Sequence, residues 1–268
     1  MSNLGENWAR VQQPDPNDCP MPWVCPVCGY ESKPVPNIWD GEWVLYEPNP
    51  CPGCEARRLG QRILADRKQW LIDNYGLSDS GVYGSMRFDT YVPDPKYPSQ
   101  QQAKSQARLT LEQWKQGDWT KGLLLWSPNV GVGKTHLAIS LVREGTLAYP
   151  RAGVHILTIW DMPSYVREIK ASYDDGGTEQ IIQSAIKPAI LLLDDLGAEY
   201  AKAREWYQNL VYDVVNARWV KQKATVVTSN MNPKALGQHI GMRAVSRLLA
   251  LTGTPVKMEG EDYRLRSL

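Results

Sequence analysis

Phenylalanine is all but missing from this chain of 268 residues: one, Phe88, against eleven tryptophans. Histidine is scarce too, with three, the first of them His136. A metal site near the N-terminus must therefore be built from other ligands. No charge of one sign dominates, since 30 Lys and Arg against 29 Asp and Glu leave +1. Such a chain has no global field to draw it onto nucleic acid, so contact of that kind must come from local patches. No apolar run approaches the ~18 residues of a membrane span. No signal-peptide pattern is read at the start, and the expectation is a cytoplasmic protein with no membrane partner. Internal repeats are absent. With 43% hydrophobic residues, the chain can bury a full core in one or two domains.

What is present is more specific. Residues 127–136 read Ser-Pro-Asn-Val-Gly-Val-Gly-Lys-Thr-His and follow the apolar run Gly122-Leu123-Leu124-Leu125-Trp126. A strand runs into a Gly-rich turn that opens a helix at Lys134, the pattern of a phosphate-binding loop. Backbone N–H groups of such a turn converge on one spot, and the helix dipole adds partial positive charge there. Asn129, Val130, Gly131, Val132, Gly133, Lys134, Thr135 and His136 are thus the expected cradle for ATP. Gly131 and Gly133 let the backbone approach the phosphates without a Cβ clash. Lys134 reaches the β and γ oxygens, and Thr135 ligates Mg2+. One position departs from the pattern G-x-x-x-x-G-K-[ST]: Pro128 replaces the first Gly and stiffens the start of the loop.

Residues 189–199 read Ala-Ile-Leu-Leu-Leu-Asp-Asp-Leu-Gly-Ala-Glu. The apolar run marks a strand buried on both faces, as at the centre of a parallel sheet. Asp194 at its end is placed to hold Mg2+. Asp195 is placed to orient or activate the attacking water, although many ATPases carry the longer Glu there. Glu199, a turn further on, is a weaker candidate for an assisting acid. Each motif alone has a plain reading, a chance Gly-rich turn or a polar strand end; together they are specific for a P-loop NTPase. A third run, Ala224–Ser229, ends at Asn230, which either hydrogen-bonds the γ-phosphate or attacking water or is a solvated loop amide. Residues 241–249 form a short amphipathic helix with Arg243 and Arg247 four residues apart, hence on one face. Permanently charged arginines suit the charge that develops during phosphoryl transfer; an exposed basic face is the alternative.

All five cysteines lie in the first 54 residues. Four form two pairs, Cys25-Pro-Val-Cys28 and Cys51-Pro-Gly-Cys54, separated by 22 residues. This C-x2-C…C-x2-C spacing reads as a zinc site with two tight knuckles and four thiolates. Cys19 is left over as a free thiol. Two disulfides or an iron–sulfur cluster are the rival readings; the absent signal-peptide pattern argues against the disulfides. Trp39, Trp43 and Tyr46 lie between the pairs as strand residues of a small ribbon. Structural zinc supplies ~10–16 kcal/mol of apparent binding free energy in such peptides. Charge in the ribbon is mixed, which favours protein docking over DNA.

The organisation read from the chain is a disordered tail over 1–18, a zinc-binding domain over 19–56, a basic helical linker over 57–84 and an ATPase domain over 85–268. Ten of the nineteen prolines fall in the first 52 residues, which sets the front apart. A helix is expected over 55–75, a hinge over 76–84, and a loop over 94–106 leading into a helix near 103–117. In the ATPase domain, strands near 122–126, 154–158, 189–194, 224–229 and 255–259 alternate with helices near 134–145, 161–171, 178–186, 201–221 and 242–250. Alternation predicts an α/β fold with a five-stranded parallel sheet between helices. Its strand C-termini then share one edge, which carries Lys134, Asp194 and Asn230.

Gly131–Ala138, Leu192–Glu199, Thr228-Ser-Asn230, Arg243-x-x-Ser-Arg247-Leu248 and the tail Gly260-Glu-Asp-Tyr-Arg264-Leu together resemble the DnaC/DnaI-type helicase loaders. These are AAA+ ATPases, and the related transposition ATPase IstB shares most of the motifs. The resemblance covers roughly residues 85–268. It implies Walker A and Walker B motifs, a sensor-1 residue at Asn230, and an arginine finger at Arg243, with Arg247 second, acting on a neighbouring subunit of a ring or spiral. It implies a core without a helical lid, and an aromatic beside the adenine, Phe88 or Tyr91, for which ordinary packing of an entry strand is the equal alternative. It further implies that a zinc-bearing front engages a replicative helicase hexamer, which the ATPase places on single-stranded DNA. Tyr165, Arg167, Lys170 and Tyr173 are candidate DNA contacts because they set cations beside aromatics; an ordinary amphipathic helix is the alternative. The expected activity is weak ATP hydrolysis stimulated by DNA or partner, with ATP, Mg2+ and Zn2+ bound. The other readings are an IstB-like ATPase that recruits a transposase and a nucleotide-binding adaptor with negligible hydrolysis.

Overall fold

Consecutive leucines commit a strand to two apolar faces, because successive side chains point to opposite sides of a sheet. The computed structural model, which describes residues 21–36, 43–44, 51–77, 83–150, 156–173, 176–198 and 204–265, shows how the chain covers those faces. Contacts divide it into two units, Met1–Asp66 and Arg67–Leu268. In the first, β1 (Trp23–Val24) pairs antiparallel with β2 (Glu31–Ser32), and β3 (Val35–Pro36) with β4 (Trp43–Val44). Cys25 and Cys28 occupy the turn between β1 and β2. That turn is closed by bonds from the Gly29 N–H to the Cys25 carbonyl and from the Cys25 N–H to the Tyr30 carbonyl, both 2.9 Å. The second pair is not the expected knuckle. It opens helix α1 (Pro52–Tyr75), which starts at Pro52 rather than at 55; proline's preset φ suits the first helical position. Trp43 lies in β4, whereas Trp39, Tyr46, Cys19 and the tail over 1–18 fall outside the described residues.

The second unit runs through α2 (Pro98–Lys115), β5 (Leu123–Trp126), α3 (Lys134–Ala148), β6 (Leu157–Asp161), α4 (Met162–Ala171), α5 (Thr178–Ile186), β7 (Ile190–Asp194), α6 (Arg204–Val220), β8 (Ala224–Ser229), α7 (Pro233–Ile240), α8 (Met242–Thr252) and β9 (Val256–Lys257). The five strands are parallel in the order β6-β7-β8-β5-β9. Leu123, Leu125, Ile190 and Leu192 point to one face and pack with Ala107, Leu111, Leu137 and Leu141 of α2 and α3. Leu124, Leu191, Leu193 and Val227 point to the other and pack with Ile169, Tyr207, Leu210 and Leu248 from α4, α6 and α8. After α8 the described residues hold only β9 and a 3-10 turn at Tyr263–Leu265.

In this unit three elements differ most from the sequence reading. α2 begins at Pro98, inside the expected loop, with proline again in the first helical turn. β6 occupies 157–161 rather than 154–158, so Asp161 ends a strand and caps α4 by accepting the Ser164 N–H at 3.1 Å. α7 was not expected, yet Asn232 caps it by accepting the Ala235 N–H at 2.9 Å, and Pro233 follows. Of the expected hinge over 76–84, residues 78–82 lie outside the described set. The carbonyls that flank them, Leu77 and Gly84, both accept from the guanidinium of buried Arg143 on α3, as does Met86.

Arg218 on α6 is wholly buried and binds backbone oxygens. Its guanidinium donates to the carbonyls of Ala185 at 2.9 Å, Pro188 at 3.0 Å and Ala224 at 2.6 Å, and to the Thr225 hydroxyl at 3.0 Å. Lys223 Nζ donates to Ile186 O at 3.0 Å. Two cations thus satisfy the orphan carbonyls at the C-terminus of α5 and tie them to β8. Burial pushes the Arg218 pKa down to about 9. Arg218→Leu leaves several buried carbonyls unpaired and should cost about 3 kcal/mol or more in urea-unfolding free energy; a loss below about 1 kcal/mol contradicts this account.

Candidate nucleotide and metal sites

The edge at the strand C-termini holds a cleft of about 590 Å3 lined by the phosphate loop from Val130 to His136 together with Asp161, Asp194, Asp195 and Asn230. Gly131 at φ +69 and Gly133 at φ +95 adopt the left-handed backbone that glycine takes at no steric cost. Gly133 is also the N-cap of α3 and offers no side chain to its first N–H groups; those donors are free for an anion. Tyr91 closes the far side, and a Cβ added to Gly133 would lie 2.5 Å from its ring. Lys134, 7% exposed, donates from Nζ to the Asn129 carbonyl at 3.0 Å. Burial lowers its pKa, opposed by Asp195 and Asp194.

The acids are held by hydroxyls. Asp194 Oδ1 accepts from Thr135 Oγ1 at 3.0 Å and from Thr228 Oγ1 at 2.7 Å. Thr228 Oγ1 in turn accepts the Asp195 N–H at 2.8 Å. Asn230 Nδ2 donates to Asp195 Oδ1 at 2.6 Å, and its own Oδ1 is buried without a partner. Such an orphan acceptor beside a carboxylate fits a water molecule. Burial raises the pKa of both Asp194 and Asp195. The donor set therefore fits the group its motif implies: N–H groups and a lysine for phosphate, Thr135 and Asp194 for Mg2+, Asp195 and Asn230 for water.

Sequence reasoning missed Thr228 and Asp161. Thr228 read as part of a strand and of the Thr228-Ser-Asn230 motif, with no role of its own. Asp161 pairs in register with Asp194, but the displaced β6 hid it at a helix start. Phe88 is corrected: it is buried in the core under the Arg108 guanidinium and is absent from the cleft lining, where Tyr91 stands instead. Tyr165 is corrected as well, being 2% exposed and packed 4.3 Å from the Trp160 ring. Arg167, Lys170 and Tyr173 are exposed, and Tyr173 and Lys170 both lie against Trp206. Arg243 and Arg247 do not enter the cleft. They line a separate surface depression with Tyr212 and Trp219, where the Arg247 guanidinium sits 3.9 Å from the Trp219 ring centroid and Arg243 is exposed. Glu199 lies outside the described residues.

In the first unit, the sulfurs of Cys25, Cys28, Cys51 and Cys54 all lie within 4.8 Å of one another. Cys25–Cys54 are 3.7 Å apart and Cys28–Cys51 3.6 Å. A disulfide needs about 2.05 Å, whereas a tetrahedron with Zn–S bonds of ~2.3 Å has edges of ~3.8 Å. The Val27 N–H pulls the Cys25 thiol down to about 6, while hydrogen bonds with Cys25 and Cys28 push Cys54 up to about 12. Four thiolates so close need a cation between them. Elemental analysis should find one zinc per chain, and Cys28→Ser should lower that by at least half; full zinc content in the variant would refute the four-sulfur site. Among the described residues no helix is long and apolar enough to cross a membrane.

Comparison with known proteins places these features. The sequence pattern of the family described as IstB-like ATP binding protein matches residues 92–267, or 176 of 268 residues. The replicative helicase loader DnaI of Bacillus subtilis (strain 168) is 28% identical over 249 residues, which covers 88% of this chain and 73% of DnaI. The ATP-binding protein of insertion sequence IS5376 from Geobacillus stearothermophilus is 28% identical over 140 residues, 51% of this chain and 53% of that protein. The crystal structure of the DnaC helicase loader shares the fold, with a TM-score of 0.54 at 24% identity over 66% of this chain and 98% of that chain.

Proposed function

The chain belongs to the IstB-like ATP-binding protein family, and on that premise we propose that it is an ATP-dependent loader of a replicative helicase. Lys134 and the loop N–H groups bind the triphosphate, Thr135 and Asp194 hold Mg2+, and Asp195 with Asn230 orients the attacking water. Mg2+ supplies charge neutralisation on the phosphate oxygens. Zinc sits on the four cysteines of the first unit, 19–56 in the domain reading, and that module docks the helicase hexamer. Subunits assemble side by side in a ring or spiral around single-stranded DNA, which Arg167, Lys170 and Tyr173 contact.

The observation that carries this reading is the reach of the DnaI match. At 88% of the chain it exceeds what Arg67–Leu268 can supply and so runs into the cysteine-bearing unit. The insertion-sequence match spans 51%, short enough for Arg67–Leu268 to supply it whole. Co-purification from the same source, with helicase and transposase as competing baits, should retain the helicase. Retention of the transposase alone would reverse the choice in favour of the transposition reading.

Arg243 is exposed and outside its own cleft, as a residue acting on a neighbour's nucleotide must be. Arg247 is committed to the Trp219 ring, which favours Arg243 as the finger. Arg243→Ala should bind ATP normally and hydrolyse it on the order of a thousandfold more slowly. Mixing it with Lys134→Ala should restore turnover at shared sites; no recovery would argue against a site split between subunits.

A further inference from the structure

Ahead of α2 the chain is irregular: residues 83–97 form neither helix nor strand. Backbone of that kind, packed against a core, needs partners for its carbonyls. Side chains of α2 and α3 supply them. The Arg143 guanidinium donates to the carbonyls of Gly84 at 3.0 Å and Met86 at 3.4 Å, and to that of Leu77. His136 stands two turns earlier on α3, on the same face, and its Nε2 donates to Arg87 O at 2.9 Å. Lys104 Nζ of α2 donates to Tyr91 O at 2.7 Å. Arg143 is 9% exposed, and burial lowers its pKa; the carbonyls around it oppose that by accepting from the charged form.

The stretch held in this way is one wall of the nucleotide cleft. Ser85, Met86, Thr90, Tyr91 and Val92 line the cleft, whereas Arg87, Phe88 and Asp89 do not. The wall therefore presents no charged side chain. Charge in the cleft comes from other elements, Lys134 and the acids at the strand ends among them. A nucleotide divides in the same manner. Its polyphosphate suits the loop and a metal on the acids, and its flat, uncharged base suits an apolar wall with an aromatic ring to stack on. Helix α3 serves both parts: it opens at Lys134 beside the phosphate loop and holds the wall through His136 and Arg143.

We propose that Arg143 is a positioning residue for the base: by gripping the carbonyls of Gly84 and Met86, it sets the wall at the place a nucleoside needs relative to the phosphate loop. This rests on the cleft being an ATP site. Arg143 itself touches no ligand. The part of the ligand it serves is the base and sugar of a nucleoside triphosphate, not the phosphates.

Calorimetry on the full chain with Mg2+ tests it, with two probes: a non-hydrolysable ATP analogue and inorganic tripolyphosphate. Arg143→Gln should weaken the analogue ~10-fold or more and change tripolyphosphate by less than about twofold. Arg143→Lys, which keeps the charge but not the planar fork, should recover part of the loss. If Arg143→Gln fails to fold, Arg143→Lys carries the test, with a smaller loss again confined to the analogue. Equal losses for both probes in a folded variant, or no loss for either, would overturn the positioning role and leave the ATP site standing. A wild type that binds tripolyphosphate as tightly as the analogue would overturn the wall as the base site. A wild type that binds neither would overturn the ATP reading and Arg143's role with it.

Discussion

One buried carboxylate holds the site together. Asp194 ends a strand whose neighbours leave it no apolar partner, and it is kept by two hydroxyls from different elements. Thr135 reaches it from the first turn of α3 and Thr228 from β8. Through these bonds the phosphate loop, β7 and β8 are fixed to a common point. Burial alone disfavours its charged form; the hydroxyls oppose that, and a bound dication would oppose it far more. Thr135, which donates to Asp194 here, would on the proposed reading offer the second oxygen for a magnesium ion.

Secondary elements around this point are arranged to deliver backbone rather than side chains. Gly131 and Gly133 turn the chain through left-handed conformations, and α3 begins with no capping side chain. Tyr91 and Asp262 press on those glycines from two sides, so the loop is clamped although it carries almost no side-chain bulk. Pro128 in place of the usual glycine is consistent with this. It stands ahead of the two left-handed positions, where a fixed φ limits the loop without obstructing its N–H groups.

The central sheet and the loop could be read because their signals are local. A run such as Leu191-Leu192-Leu193 before two acids declares a strand with two buried faces, and Gly-Val-Gly-Lys-Thr declares the turn. Strand boundaries were less legible where tertiary pairing decides them. β6 slid by three residues because Leu157–Asp161 pairs in register with Ile190–Asp194, and no local pattern encodes that partner. This slip hid Asp161. The helices at Pro98 and Pro233 carried readable starts, but Pro98 was read as loop before it could be read as a first helical turn, and the segment at Pro233 was not read at all. Phe88 and Tyr91 were not separable by residue type; both are buried, and only the fold sets Tyr91 against the cleft. The sharing of Asp194 between Thr135 and Thr228 links positions 93 residues apart, and no spacing rule reaches that far.

Charge makes the isolated cleft an incomplete device. Its described lining carries Asp161, Asp194, Asp195 and Glu261 against Lys134 and Arg264. A triphosphate brings further negative charge to a place where acids already outnumber cations. Binding under those conditions requires Mg2+ on the acids. Hydrolysis, which gathers more charge on the transferring phosphoryl group, requires another cation at the moment of transfer. The chain's own remaining candidates lie elsewhere, Arg247 against Trp219 and Arg243 at the surface of α8. On the proposed reading, such a core holds nucleotide as a single subunit and takes the cation for hydrolysis from a second one, which would couple turnover to assembly.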